Sequence, residues 1–418
     1  MMDYYEAISY WNLYRGLKNS VKGVKWKDSV AGYYANAMKR TWELHRDLMN
    51  GSYRISKYSI FKIHEPKERE IIATRLRDRQ FQNALVENIL YPEFVKKFTE
   101  TNCACIKGRG TDYAIKLLKK ELIDYYWEHH SNKGWVYQFD IHHYFPETSI
   151  RVAQKVVEQF INEKEALART CEVLESFSFS EILQKLIRYG IDRKKAENIA
   201  YRISSIRSRS VYLKYMGKQI SEGQMMKRGK RYISDEKFLK ELLFSEMRGI
   251  GLGSNISQLV MLAILDHLDH VLLNRYGKHV RYMDDFMILS DNRAEAEHAR
   301  MIVEKELEML GLRLNTKSAL HRIQDGIHFL HWRFILTETG KMILKKEKKK
   351  LSQERRVLKK LKKRLDERTY SIEKIRQSFE SWQAHMEKGN TYYQVQNMRE
   401  LYQELFNEEA PHGNRKIS

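Results

Sequence analysis

Val280–Ser290 reads VRYMDDFMILS, and the reading of its two aspartates decides the fold. Asp284 and Asp285 stand at the crest of an apolar run, with Tyr282 and Met283 before them and Phe286, Met287, Ile288 and Leu289 after. Flanks of this length and character predict two short buried strands, and the acidic pair falls where a tight turn joins them. Two ionised carboxylates at the tip of a hydrophobic hairpin repel each other and lose hydration, which is costly unless a cation lies close by. From the pair alone, an ordinary Asp-Asp turn explains the stretch as well. The rest of the chain has to choose.

Composition narrows the partner. The 418 residues suffice for two to four domains and a large core. Lys and Arg number 75 against 54 Asp and Glu, a formal charge of +21 that argues for a polyanion, nucleic acid first, since each neutralised phosphate releases counterions. The 25 Tyr and 7 Trp interleaved with those cations supply stacking platforms for bases. Cys103, Cys105 and Cys171 are sparse and unpaired in spacing, which speaks against disulfides and a zinc site. No apolar run is read as a membrane span, and the N-terminus MMDYYEAISY carries acid where a signal peptide carries base, so a cytoplasmic location is expected.

Working outward, Trp135–Phe145, WVYQFDIHHYF, is a second acidic strand with Asp140 at its end, a place that suits a metal ligand or a helix cap equally. His142 and His143 are expected on opposite faces of that strand, which removes them as joint ligands. Phe145 is expected to stay near the carboxylate. Upstream, residues 1–57 read as a helical cap, with Tyr4, Ile8 and Trp11, then Ala31, Tyr34, Met38 and Trp42, at helical spacing. The stretch Tyr58–Thr74, YSIFKIHEPKEREIIAT, alternates apolar and charged residues on both sides of Pro66-Lys67 and predicts a basic hairpin, fit to clamp a triphosphate or simply solvated. A helix follows from Asp78 to Leu90, stopped by Pro92. Lys107-Gly108-Arg109-Gly110 is a basic loop after which Thr111-Asp112 offers a helix cap.

Downstream, residues 161–247 read as mostly helical. The stretch RISSIRSRSVYLKYMGKQISEGQMMKRGKRYIS within them suits a phosphate backbone or a protein partner. Gly249–Leu259, GIGLGSNISQL, is a small-residue loop that places Gln258 at the start of a Leu-rich helix. Ala294–Leu310 is an amphipathic helix, Leu312–Ser318 places Lys317 just past a short strand, and Gly326–Phe334, GIHFLHWRF, is a strand pair. From Lys345 to Arg368 there are thirteen basic and four acidic residues, with Leu344, Leu351, Leu358 and Leu365 spaced by seven, which predicts one amphipathic helix with a basic outer face.

Three carboxylates on two apolar strands, a basic hairpin, a Gly-Ser-Gln loop and a basic helix fit one chemistry. Two divalent cations about 3.5–4 Å apart activate a primer 3′ hydroxyl and stabilise the departing pyrophosphate, with Mg²⁺ the natural ion. In that reading Asp140 and Asp284 bridge both ions and Asp285 helps hold the charge and geometry of the site.

At this point the sequence resembles the reverse transcriptases. YMDDF at Tyr282–Phe286 resembles the family's catalytic hairpin, FDIHHYF at Phe139–Phe145 its first catalytic strand, and LGSNISQ at Leu252–Gln258 its template and nucleotide loop. EPKEREI and DRQFQNAL resemble the fingers motifs, NCACIKGRGT the loop after them, LNTKS the motif with a proton-donating lysine, and GIHFLHW the primer grip. The resemblance implies a metal set of Asp140, Ile141, Asp284 and Asp285 holding two Mg²⁺, with Mn²⁺ as a substitute. It implies nucleotide contacts from Lys67, Arg69, Phe145 (as a block to a ribose 2′ hydroxyl) and Gln258, a proton donor in Lys317, and a primer grip at Phe329, Leu330 and Trp332.

It also implies an α+β, right-hand polymerase, largely helical outside a palm with a small antiparallel sheet. The expected divisions are 1–57 helical extension, 58–134 fingers, 135–160 first palm part, 161–247 helical insertion, 248–340 second palm part, and 341–418 basic helical thumb and tail. The expected activity is RNA-directed DNA synthesis from deoxynucleoside triphosphates on an RNA template and DNA primer. Within the family, the SQ ending and the CACIKGRGT phrase resemble the bacterial branch of diversity-generating retroelements, abortive-infection and defence enzymes, whose members imply a structured RNA, an accessory protein or a second copy as partner. Two other readings stand beside it: a template-independent or protein-primed polymerase using the same site, and a non-enzymatic RNA-binding protein on a polymerase fold.

Overall fold

The computed structural model describes residues 2–64 and 68–411, at 68–70 the backbone only. Helices make up about 60 % of the chain and the strands form small antiparallel sheets, the α+β character expected. Strands β1 (Ser59–His64) and β2 (Glu68–Ala73) form a two-stranded ribbon. Strands β3 (Trp135–Asp140), β4 (His279–Tyr282), β5 (Asp285–Ser290) and β6 (Ala319–Arg322) form a sheet in the order β4-β5-β3-β6. Strands β7 (Ile327–Phe329), β8 (Trp332–Leu336) and β9 (Met342–Lys346) form a third.

The central pairing is β3 with β5. More than a hundred residues separate them in the chain, yet Phe139 faces Phe286 with rings 4.9 Å apart, and Asp140 faces Asp285. Both strands are buried and apolar along most of their length, so burial on two sides holds the register against a slip. The intervening chain is helical, through Ile150–Phe160, Lys164–Ser176, Ser178–Arg188, Arg193–Tyr215, Glu222–Gly229 and Glu236–Phe244. Those helices share one continuous core with the N-terminal helices and with the four-stranded sheet, from Tyr4 through Ile203 to Phe286.

Several expectations are corrected here. In the N-terminal helices Tyr10–Ser20 and Ala37–Met49 the buried stripe is Leu13, Leu17, Leu44 and Leu48. Trp11 and Trp42 face outward, 67 % and 57 % exposed, as does Met38. Gly16 lets the first of these helices lie against Leu76–Leu85, since a Cβ there would come 2.5 Å from the Gln80 carbonyl. Pro92 does not stop its helix: one π turn at Val86–Leu90 shifts the hydrogen-bond ladder, with the Tyr91 N–H on the Val86 carbonyl, and the helix continues through Tyr91–Val95. The helix Thr111–His129 is capped by Gly110, φ +150°, and not by the Thr111 or Asp112 side chain. Asp112 instead meets Lys388 at 2.5 Å.

The basic stretch after Tyr201 is partly internal. Arg207 bonds Glu175 at 2.7 Å and the Leu242 and Ser245 carbonyls. Tyr212 joins Arg169, which is 1 % exposed, in a cluster with Glu165 and Glu172. Buried charge needs paired charge, so these residues hold helices together and are not presented to a phosphate backbone. Leu344 belongs to β9, and the basic helix starts only at Lys348 and runs to Asp366, followed by Ile372–Met386 and Tyr392–Phe406. A seven-residue spacing cannot tell the last strand residue from the first helical turn. The helical stretch Asn255–Tyr276 is long and apolar enough, by length and composition, to cross a membrane, contrary to expectation; 72 % of its apolar 18-residue window is buried inside the protein. The turn at Pro66–Lys67 lies outside the described residues.

Candidate active site

The hairpin β4–β5 pairs Tyr282 with Asp285, which leaves Met283 and Asp284 as a two-residue connection. Met283 takes φ +60°, as primed hairpin turns require. For a residue with a Cβ that conformation costs roughly 1–2 kcal/mol, so the surroundings must hold it. Arg281 does so. Its guanidinium donates from Nη1 to the Met283 carbonyl at 3.1 Å and from Nη2 to the Leu262 carbonyl at 3.0 Å, and it grips Asp269 twice, at 2.6 and 2.5 Å. Both Arg281 and Asp269 are completely buried. The Arg281 main chain is fixed as well, its N–H donating to the Thr101 carbonyl and its carbonyl accepting from Cys103.

Asp140 ends β3 and is anchored through its backbone. Its N–H donates to the Ser318 hydroxyl at 3.0 Å, and its carbonyl accepts from the Asn315 N–H at 2.7 Å and from Ser318. Lys317 therefore sits, exposed, in a turn whose two ends are tied to Asp140. This turn precedes β6; the short strand expected before it reduces to one bridge, Leu314 to Ile141. Ile141 is 2 % exposed.

The three carboxylates meet at one end of the sheet, and their proximity is electrostatically visible. Burial first, then the Asp140 and Asp284 carboxylates, push Asp285 up to about 7, against a lowering hydrogen bond from Gln138. Among the described residues no group of three or more His, Cys, Asp or Glu side chains is arranged to hold a metal ion by itself. An open acidic edge is what Mg²⁺ accepts when substrate phosphates complete its coordination. The carboxylate set therefore suits such an ion once those phosphates are bound.

The remaining expected residues fall as follows. Phe145 lies in the short helix Tyr144–Glu147, half-buried, and its carbonyl accepts from the Ile250 N–H at 2.9 Å, joining it to the Gly-Ser loop. Gln258 is exposed on the first turn of the helix Asn255–Ile264, which Ser254 caps. A Cβ on Gly253 would lie 3.8 Å from Ile71, so this loop abuts β2, the strand that carries Arg69. Lys67 and the Arg69 side chain lie outside the described residues. His142 and His143 follow the strand rather than forming part of it; their rings meet edge to face at 4.2 Å, and His142 bonds Glu147. Arg109 is occupied with the Thr99 and Asn102 carbonyls and Lys107 with Glu87.

The expected primer grip forms a two-residue hairpin, with Leu330 and His331 at φ +49° and +68° between Phe329 and Trp332. Phe329 and Trp332 point inward, 1 % and 0 % exposed, with Trp332 beneath the Lys346 ammonium at 4.4 Å. They are a core pair that supports the turn, and the surface it offers is Leu330 and His331. Alternation along β7 and β8 alone puts Phe329 and Trp332 on one face, but not which face is covered. Three residues escaped the sequence reading: Gln138, Arg281 and Asp269. Arg281 left a signal, a lone cation inside an apolar strand, which demands a buried partner.

The segment 236–334 matches the family described as reverse transcriptase (RNA-dependent DNA polymerase). That segment holds Asp284, Asp285, Gln258 and Lys317, while Asp140, Phe145 and the β1–β2 ribbon precede it. Over that segment, the domain match supports the enzyme class expected from the sequence, a reverse transcriptase. No curated protein matches the chain. Among solved structures, apo telomerase from Candida tropicalis is similar at 10 % identity and TM-score 0.38, covering 74 % of this chain and 53 % of that one. A form of it truncated from the C-terminal domain gives 9 % and 0.40, covering 74 % and 60 %. Telomerase from Candida albicans in complex with a TWJ fragment of telomeric RNA gives 12 % and 0.42, covering 85 % and 63 %. The chain thus spans between about half and two thirds of the length of these structures.

Proposed function

We propose that the protein is an RNA-directed DNA polymerase of the bacterial retroelement and antiphage-defence branch, cytoplasmic, copying an RNA template into DNA from a primer end. The observation that carries this reading is the β3–β5 pairing, which sets Asp140 opposite Asp285 with Asp284 adjacent, in a chain whose segment 236–334 matches the reverse transcriptase family. In right-hand terms the β1–β2 ribbon is the fingers, the sheet β4-β5-β3-β6 the palm, and the helices after Lys348 the thumb.

Asp140, Asp284 and Asp285, with the Ile141 main chain, would hold divalent cations. Bound there, Mg²⁺ supplies an activated 3′ hydroxyl and charge stabilisation on the phosphates, with Mn²⁺ as a substitute. The chain's own groups do the rest. Lys67 and Arg69 neutralise the triphosphate, Phe145 excludes a 2′ hydroxyl, and Gln258 contacts the incoming nucleotide or its template base. Lys317 donates a proton to the departing pyrophosphate, and the Leu330–His331 turn steadies the primer. The exposed basic face of Lys348–Asp366 follows the duplex backbone.

Primer extension with purified protein and Mg²⁺ on RNA, on DNA and without template tests this, with products sequenced and Asp284→Ala as control. Template-complementary DNA that disappears in the variant is the expected result. Product made without a template would replace it with the non-copying polymerase, and RNA binding with no Mg²⁺-dependent incorporation, even with cellular RNA added, with a retired fold.

A further inference from the structure

Gln138 lies two residues before Asp140 on β3, so the two side chains share one face of the sheet. Its position in the register is opposite Met287, diagonal to Asp285. The side-chain amide nitrogen sits 3.1 Å from Asp285 Oδ1 and 3.0 Å from the main-chain carbonyl of His328. His328 belongs to β7, a strand of the separate three-stranded sheet whose tip is Leu330–His331. A carboxylate and a carbonyl both accept, so the –NH₂ end, with two hydrogens, is the end that satisfies both. One amide group therefore spans two sheets and touches one of the three acidic residues. Gln138 is half-buried, so this amide lies between the two sheets and not out in solvent.

We infer that Gln138 is a positioning residue that couples the primer-side hairpin to Asp285. A displacement of β7 moves the His328 carbonyl, the amide follows it, and the Asp285 carboxylate is carried out of the orientation its neighbours require. Polymerisation at full rate would then need the β7–β8 hairpin in place, which a correctly seated primer end provides. This rests on the polymerase reading, and Leu330 and His331 are the residues through which the hairpin meets the primer.

The test uses the full chain with a defined primer and RNA template. Gln138→Met keeps length and removes both donors; Gln138→Glu keeps shape and aims an acceptor at two acceptors. Loss of a hydrogen bond to a charged group predicts a fall in kcat of roughly 10- to 100-fold for Gln138→Met, with a larger fall for Gln138→Glu. The KM for nucleotide, the Kd for primer–template and the Tm stay close to wild type. The ratio of rates on matched and 3′-mismatched primers narrows in Gln138→Met, because the hairpin no longer reports the primer end. A merely structural role would move Tm, and would lower both rates in proportion. Unchanged kcat, a loss that tracks Tm, or an unchanged match-to-mismatch ratio overturns the coupling while the polymerase reading stands. An inactive wild type overturns both, and is recognised by the absence of product in every arm.

Discussion

Phe145 and His279 carry the sharpest expectations at the scale of single residues. Phe145 is half-buried and tied through its carbonyl to the Gly-Ser loop, which fixes the backbone that carries its ring. Phe145→Ala should raise incorporation of ribonucleotides relative to deoxynucleotides, roughly 10-fold or more, in single-nucleotide extension; unchanged discrimination removes the steric role. His279 is fully buried beneath the hairpin, bonded to Thr101 at 2.9 Å, with Asp269 at 3.7 Å. Burial holds its pKa down to about 4 from 6.5, a shift that the Asp269 carboxylate opposes. Because the folded value lies below the unfolded one, the unfolded chain takes the proton first, and stability is lost as pH falls from about 6.5 towards 4, by about 3 kcal/mol in the limit. Asp266, raised to about 6 by burial and then by Asp269, works with the opposite sign. Comparison of wild type with His279→Gln in denaturant titrations at pH 7 and pH 5 isolates the histidine: the variant should lose less.

At the scale of elements, the acidic hairpin is held from beneath by a pair of opposite charges. Removing one partner of a fully buried pair leaves the other uncompensated, at a cost of about 3–5 kcal/mol. Asp269→Asn and Arg281→Met should each lower the unfolding free energy by that order. Arg281→Met combined with Asp269→Asn should cost less than the two singles added, measured as a double-mutant cycle. Additive losses would show that the pair is not coupled. The hairpin itself was legible, since an apolar run broken by two acids has few other readings. Its support was not, because Asp269 sits on the helix Asp266–Tyr276, and nothing in a helical pattern says which strand residue its carboxylate meets. The N-terminal helices show the converse failure: tryptophans at helical spacing suggested the buried face, whereas the leucines occupy it.

For the whole molecule, the helix Lys348–Asp366 is a basic surface with ten Lys and Arg against two Asp and Glu, and Arg356, Lys359 and Lys360 on it are exposed. Binding to an RNA–DNA duplex should weaken linearly in log Kd against log salt. Replacing these three with Gln should reduce the magnitude of the slope by roughly 0.7–0.9 for each phosphate that is no longer neutralised, measured by fluorescence anisotropy at several salt concentrations. An unaltered slope would place the duplex elsewhere. The long helical segment between the two halves of the four-stranded sheet shares their core, so destabilising it should impair the proposed site at a distance: Arg169→Leu, which strands Glu165 and Glu172, should lower Tm and polymerase activity together.

The sequence by itself determined the strands that carry Asp140, Asp284 and Asp285, the helical character around them, and the basic surface. Those features rest on local periodicity and on the cost of placing carboxylates among apolar residues, both of which are written in neighbouring letters. Only the tertiary structure decided that Gln138 reaches across to a second sheet, that Arg281 holds the strained turn, that Phe329 and Trp332 face the core, and that Arg207 is internal. Each of these depends on which distant element lies 3 Å from a polar atom or covers an aromatic ring. Such arrangements are set by the packing of the whole core rather than by spacing along the chain.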